Sequence, residues 1–307
     1  MLGLLAATAW LVLNRPDDPD DPGNGGTAST ADLIGDSRTA DPCALIDSDA
    51  LAEYGDAVLD ADYGNFNACY VFVTDPSGTE VDVKVGFAQE GDGPPSGQAE
   101  MIGQIGVIRE PGDGDSCTRN LALPGDERFA FVSASQHDDG VADLCAMADT
   151  AASVAVEALN RGPVPRREAP DTESLINVDA CGLLDAEALD LFPGVEATRP
   201  EARFANWECH WRNTDGATLL IEFDREDQAA AQTGSPVTIG GHQVYIDPEG
   251  YGDACQVSVV HREYTSENGD PRVERMIVAI LRDDQDAVAC DLVAGLAEPA
   301  ASALPPT

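Results

Sequence analysis

Eight cysteines in two matching sets constrain this chain more than any other feature. An even number of cysteines at matching positions is typical of a disulfide framework in an exported protein. Zinc is the alternative, but it favours ligand pairs about two to four residues apart, and no two cysteines here lie closer than 26 residues. We therefore predict disulfides, no metal and no cofactor. The two sets are Cys43, Cys69, Cys117, Cys145 and Cys181, Cys209, Cys255, Cys290.

The pairing within a set is open, since four cysteines allow three connectivities. We favour first with second and third with fourth, because the first bond would join a helix start to a strand and the last a strand to a closing helix. Each loop of this size would stabilise the fold by roughly 3 to 4 kcal/mol in the chain-entropy model. The favoured pairs are Cys43 with Cys69, Cys117 with Cys145, Cys181 with Cys209, and Cys255 with Cys290.

Other residues repeat with the cysteines. The stretch DPCALIDSDAL, which starts at Asp41, matches DACGLLDAEAL, which starts at Asp179. Ile102-Gly103 precedes the third cysteine of the first set as Ile239-Gly240 precedes that of the second. A chain of 307 residues suits two domains. We predict two tandem copies of one four-cysteine domain, at residues 41–160 and 177–300.

Hydrophobic periodicity predicts the same order of elements in both copies. Each opens on a short helix at Asp41 or Asp179, continues with alternating or apolar strands, and closes on a helix at 141–159 or 284–296. The predicted class is α+β, with two tandem domains, each an antiparallel sheet with N- and C-terminal helices and two disulfides. The predicted strands are 69–73, 80–87 and 129–133, then 207–211, 218–223, 243–246, 256–260 and 276–281.

The segments outside the repeats differ in composition. Residues 1–13 are uncharged and apolar but too short to span a bilayer, so we interpret them as a membrane-anchor or signal remnant. A short cleaved signal and a buried N-terminal helix are the alternatives. Residues 14–40 read as an acidic Pro/Gly linker and 161–176 as a solvated Pro/Arg linker, whose arginines could instead dock on a neighbouring face. Residues 301–307 form a tail.

The charge balance excludes some partners. With 17 basic and 56 acidic residues, the formal net charge is -39. Phosphate backbones and anionic lipid headgroups repel such a chain, so we expect no nucleic acid and no membrane contact except through the N-terminal segment. Cations or a basic partner are favoured, although the acidity could serve solubility alone.

Short motifs resemble a known family. The pattern D-P-C-x-L, followed by a cysteine with an aromatic residue two places on (Cys209-His210-Trp211), resembles the actinobacterial exported lipoproteins of domain-of-unknown-function family 3558. The cysteine layout is also similar to the extracellular sensor domains of mycobacterial serine/threonine kinases. The chain departs from the family in having no lipid-attachment cysteine, two copies, and Val71 where the tryptophan falls. The resemblance implies an extracytoplasmic sensing or binding role and no catalytic residues.

Sequence motifs for catalysis are absent. There is no G-x-S-x-G, H-E-x-x-H or phosphate-binding glycine loop, and paired carboxylates are too numerous for any pair to stand out. Three histidines of the second repeat, His210, His242 and His261, are the weak candidates for a binding site; hydrogen-bonded structural histidines are the alternative.

These observations favour a non-catalytic, sensor-like protein that binds a ligand or partner at the cell envelope, on the outer face of the membrane or after secretion. We expect the ligand or partner, whose identity is unknown, to contact a face between the repeats. The alternatives are a structural surface spacer and a carboxylate-dependent envelope hydrolase, which would need a cleft with one carboxyl of raised pKa.

Overall fold

The computed structural model of the chain consists mainly of two antiparallel sheets, one from each half of the sequence. Two of the sequence-based expectations, the anchor at residues 1–13 and most of the linker at 14–40, lie outside the described residues. The structure describes residues 33–89, 97–125, 127–136, 142–251, 254–282 and 290–306.

The first sheet has seven strands in the order β1-β3-β4-β8-β7-β6-β5. Valines at every second position of β4 are buried in the core, while Asp82 and Lys84 between them point to the opposite face. The three strands predicted in this half are present, slightly longer than expected. The strands are β1 (Asp56–Asp60), β3 (Ala68–Thr74), β4 (Glu80–Ala88), β5 (Glu100–Ile102), β6 (Ile105–Arg109), β7 (Ser116–Ala122) and β8 (Phe129–Gln136).

The second sheet has eight strands, seven of which follow the order β12-β13-β14-β15-β11-β10-β9. Alternation recurs here, since Ile221 and Phe223 of β11 are buried in the core while Glu222 and Asp224 are only partly buried. The strands are β9 (Glu201–Ala202), β10 (Glu208–Arg212), β11 (Thr218–Asp227), β12 (Ser235–Ile239), β13 (His242–Tyr251), β14 (Ala254–Thr265) and β15 (Pro271–Leu281).

The eighth strand of this sheet comes from the first half of the chain. β2 (Gly64–Asn65) pairs with β11 through Asn65 opposite Asp224 and Gly64 opposite Arg225. The guanidinium of Arg225 is buried and donates to backbone carbonyls of the segment around β2, including those of Gly64 at 3.0 Å and Tyr63 at 3.1 Å. Backbone pairing and a buried cation therefore join the two halves.

Helices close each half as the periodicity predicts, but the opening helices are shorter than expected. Asp41 and Asp179 each cap a 3₁₀ turn by accepting a hydrogen bond from the backbone of the following cysteine. A single helical turn follows in each half, α1 (Ser48–Leu51) and α3 (Ala186–Leu189). The long helices are α2 (Leu144–Arg161), which packs on β7 and β8, and α4 (Cys290–Ser302), which packs on β14 and β15.

All eight cysteines form disulfides, so the disulfide prediction is confirmed. The bonds join first with second and third with fourth cysteine in each set, as favoured above. The bonds are Cys43–Cys69, Cys117–Cys145, Cys181–Cys209 and Cys255–Cys290. Four disulfides indicate an oxidising, extracytoplasmic environment.

The packed part of the chain begins earlier than expected. Leu33 and Ile34 fall in the stretch predicted as linker, yet they are 1% and 0% exposed. The backbone of Val164 donates to the carbonyl of Leu33 at 2.7 Å. A solvated spacer would leave both side chains in water, whereas their burial stabilises the fold. The linker interpretation is therefore wrong for residues 33–40.

The Pro/Arg segment between the halves is also packed. Arg166 donates to the carbonyl of Ile34, and Arg167 donates to those of Ala40 and Phe66, both at 2.8 Å. The guanidinium of Arg167 also lies over the Trp207 ring, 5.3 Å from its centroid. The arginines therefore dock on a neighbouring face, which was the alternative to a solvated linker, while residues 168–173 are exposed.

The α+β class is confirmed. Residues of both halves belong to one hydrophobic cluster, so separate folding of the two halves stays a prediction. No helix among the described residues is long and apolar enough to cross a membrane.

Candidate functional site

A cavity of about 170 Å³ lies between the two halves, where the polar face of β4 meets β10 and β11. We call it the inter-sheet cavity. Its floor and walls combine aromatic rings with a few charged and amide side chains, the composition typical of a small-molecule site. From the first half it is lined by Asn65, Asn67, Lys84, Ala88 and Phe131, and from the second by Arg203, Phe204, Trp207, Glu208, Glu222 and Phe223.

Lys84 is the only lysine of the chain and projects from β4 into this cavity. Its Nζ lies 5.4 Å from the ring centroid of Tyr70 and 5.5 Å from that of Phe131. Within the described part of the chain, this ammonium makes no hydrogen bond and no ion pair. Burial lowers the pKa of Lys84, while the negative charges of Glu222 and Asp224 oppose that shift.

Glu222 faces the cavity from β11 and links three elements. Its carboxylate accepts hydrogen bonds from the amide of Asn65 in the first half and from the hydroxyl of Tyr251, the latter at 3.2 Å. Burial, and then the carboxylates of Glu208 and Asp224, raise the pKa of Glu222 to about 7. Burial and Glu222 also raise the pKa of Tyr251, so the hydroxyl keeps its proton and donates.

Glu208 stands beside Glu222, because the two residues are direct partners across β10 and β11. Side chains at such positions have Cβ atoms about 5 Å apart and share one face of the sheet. Two carboxylates of the second half thus line the cavity that Lys84 enters from the first half.

His210, one of the three histidines predicted as binding residues, lies behind the cavity. Its Nδ1 is 2.8 Å from Arg203 Nη2, and its Nε2 contacts Glu208. Since arginine only donates, Nδ1 accepts and Nε2 carries the proton that is donated to Glu208. His210 therefore orients two cavity residues and does not line the cavity.

His242 and His261 lie together elsewhere, on the neighbouring strands β13 and β14, with ring centroids 6.2 Å apart. His261 Nε2 donates to the carbonyl of Glu173 at 2.8 Å, and burial lowers its pKa. The structure thus brings together two of the three predicted histidines, away from the third. No group of three or more His, Cys, Asp or Glu among the described residues could hold a metal ion.

A second, larger cavity of about 620 Å³, the linker groove, is lined by Arg167, Arg225, Arg262 and several carboxylates. Its cations already have protein partners. Arg167 and Arg225 donate to backbone carbonyls, and Arg262 donates to Asp171 at 2.8 Å and Glu274 at 2.7 Å. Arg225 thus joins the two halves, and all three arginines already have acceptors within the protein.

No protein-family model, curated protein or solved structure matches this chain. The resemblance to exported lipoproteins and to kinase sensor domains accordingly stays a prediction. Any function has to be argued from the geometry of the chain itself.

Sequence reasoning missed Lys84 and Glu222. Both occupy the polar positions of alternating strands, where a charged residue normally faces water. The one available signal was the uniqueness of Lys84 in a chain with 56 acidic residues.

Proposed function

We propose that this protein is a non-catalytic, extracytoplasmic binding protein that holds a small ligand between two tandem four-cysteine domains. In this proposal the N-terminal segment tethers it to the membrane, or is removed on secretion, and ligand binding serves a sensor-like role at the cell envelope. The observation that carries the proposal is the inter-sheet cavity, in which the ammonium of Lys84 lies over two aromatic rings and makes no hydrogen bond or ion pair among the described residues.

An ammonium in such surroundings favours a ligand. A cation shielded from water is costly unless an acceptor compensates it, and the ring contacts do so only in part. A ligand that brings an acceptor to Lys84 would recover that cost. Because both halves line the cavity, the same ligand would bind the halves to each other, which is how a sensor couples occupancy to shape.

The experiment is a thermal unfolding screen of the oxidised full chain against small metabolites and envelope fragments. A specific ligand should raise the midpoint by several degrees, because it binds the folded state alone. The variant Lys84→Met should lose this response. Arg161→Met removes one positive charge from a side chain that is 69% exposed, and it should keep the response.

A midpoint that no compound shifts, or a shift that Lys84→Met retains in full, would overturn the proposal. A purely structural spacer would then be the better account, since it requires no ligand.

One observation favours a second candidate, a carboxylate-dependent hydrolase. Glu222 has the raised pKa that a general acid needs, and Glu208 stands beside it as a second carboxylate. The cavity volume argues against it, because about 170 Å³ holds one small ring and not the two units that flank a scissile bond. Turnover of nitrophenyl glycosides that Glu222→Gln abolishes would establish this alternative.

A further inference from the structure

The inter-sheet cavity presents both signs of charge without pairing them. Lys84 enters from the first half, and Glu208 and Glu222 face it from the second. The carboxylates are close enough to raise the pKa of Lys84 against the effect of burial, yet none of them forms an ion pair with it among the described residues. A ligand that binds between Lys84 and the two glutamates must therefore offer an acceptor to the ammonium at one end and a donor to the carboxylates at the other.

The volume of the inter-sheet cavity limits the size of the ligand. A dry cavity of about 150 Å³ accepts benzene, so about 170 Å³ suits a ligand of roughly six to ten non-hydrogen atoms. Phe131 and Phe204 supply apolar surface for part of the ligand, and Asn67 supplies a further amide. Peptides and oligosaccharides are too large.

Charge complementarity narrows the class further. A simple anion would meet Lys84 but would be repelled by Glu208 and Glu222, which line the same cavity, and a simple cation would leave Lys84 without an acceptor. A molecule with one group of each sign satisfies both walls.

We propose that the inter-sheet cavity binds a small zwitterion of the neutral α-amino-acid class, with its carboxylate at Lys84 and its ammonium at Glu208 and Glu222. The side chain then packs against Phe131 and Phe204. This inference rests on the proposed binding function and names its ligand class.

The ionisation of Glu222 gives the proposal a second readout. Its pKa of about 7 reflects burial among Glu208, Asp224, Tyr251 and Asn65, with Lys84 across the cavity. A ligand ammonium favours the ionised carboxylate and therefore lowers that pKa. Binding should release protons near pH 7 and should tighten as the pH rises from 6 to 8.

The test is titration calorimetry of the oxidised full chain with alanine, valine and leucine as probes, in buffers of different ionisation enthalpy. Two analogues each lack one charge: leucinamide has no carboxylate, and 4-methylpentanoate has no ammonium. We expect at least one of the amino acids to bind. Its own amide and its own deamino acid, which for leucine are the two analogues above, should bind about tenfold or more weakly, because each loses a hydrogen bond to a charged group.

Variants locate the site. Lys84→Met should abolish binding of the amino acid, and Arg161→Met, the exposed control, should leave it unchanged. If Lys84→Met fails to fold, the analogue series on the unmodified chain still decides the question.

The proposal is overturned if none of the three amino acids binds, or if either analogue binds as tightly as the zwitterion. The proposed function fails separately. If malate or glucose binds and Lys84→Met removes that binding, the cavity is a ligand site for another class of molecule. If no probe binds and the thermal screen is also negative, both proposals fall.

Discussion

Replacement of Glu222 by glutamine should make the protein more stable at alkaline pH and should have little effect at acidic pH. The folded-state pKa of Glu222 is raised from 4.5 to about 7, so between these values the folded chain binds more protons than the unfolded chain. The free energy of unfolding therefore falls as the pH rises through this window. A glutamine resembles the protonated acid, since it can accept from Asn65 and donate to the oxygen of Tyr251.

The magnitude follows from the shift. At about 1.4 kcal/mol for each pKa unit, the ionised carboxylate costs about 3 kcal/mol at pH 8 and less than about 1 kcal/mol at pH 5. The stability difference between Glu222→Gln and the unmodified chain should thus grow by about 2 to 3 kcal/mol between these two pH values.

The assay is urea unfolding of the oxidised full chain at pH 5 and pH 8, with Glu263→Gln as control. Glu263 is exposed on β14, so its replacement removes the same charge without a buried site. Other carboxylates cancel in the comparison of variant with parent. A difference that stays constant from pH 5 to pH 8, or that the control reproduces, would contradict a raised pKa at Glu222.

Three further predictions concern the framework. Arg225→Met should lower the free energy of unfolding by about 3 to 5 kcal/mol, because it leaves buried carbonyls without donors. Arg212→Met, at a side chain that is 62% exposed, should change this free energy little. Equal losses of the two variants in urea unfolding would contradict the joining role of Arg225. Leu33→Ala should cost about 2 to 5 kcal/mol and the exposed Val58→Ala far less, and comparable unfolding midpoints would show that packing does not begin at Leu33. Alkylation of the unreduced chain should label no thiol, and any label found by mass spectrometry would mean an open disulfide.

Local features of the fold were predictable from the sequence. Matched cysteine intervals indicate the disulfides, alternation along β4 and β11 indicates strands, and apolar periodicity indicates the closing helices α2 and α4. The strand and helix signals are local, because a residue's own neighbours decide whether it fits a strand or a helix, and the cysteine signal comes from the repeat of one spacing in both halves.

The connections between the halves were not predictable. β2 has two residues, too few for any periodicity, and it pairs with β11 where Arg225 donates to the surrounding carbonyls. Leu33 and Ile34 are two apolar residues within a polar stretch, which composition alone assigns to a linker. Such contacts depend on tertiary packing and leave no repeat in the chain.

The candidate site was not predictable from the sequence either. Lys84 and Glu222 are polar residues of two strands, each unremarkable within its own strand pattern. Their approach results from the docking of one sheet on the other. The histidines were singled out by residue type, but their positions show that two support the second sheet and one supports cavity residues.

Protection of Lys84 from an amine-reactive acylating reagent reports ligand binding in the inter-sheet cavity, since the chain has no other lysine and the N-terminal amine serves as an internal reference. The full chain is labelled with and without a bound amino acid, and the two amines are quantified by peptide mass spectrometry. Because the free amine of the ligand also consumes reagent, the acylation of Lys84 is expressed as a ratio to that of the N-terminal amine. This ratio should fall in the presence of ligand. A ratio that stays unchanged at saturating ligand would contradict binding in the inter-sheet cavity.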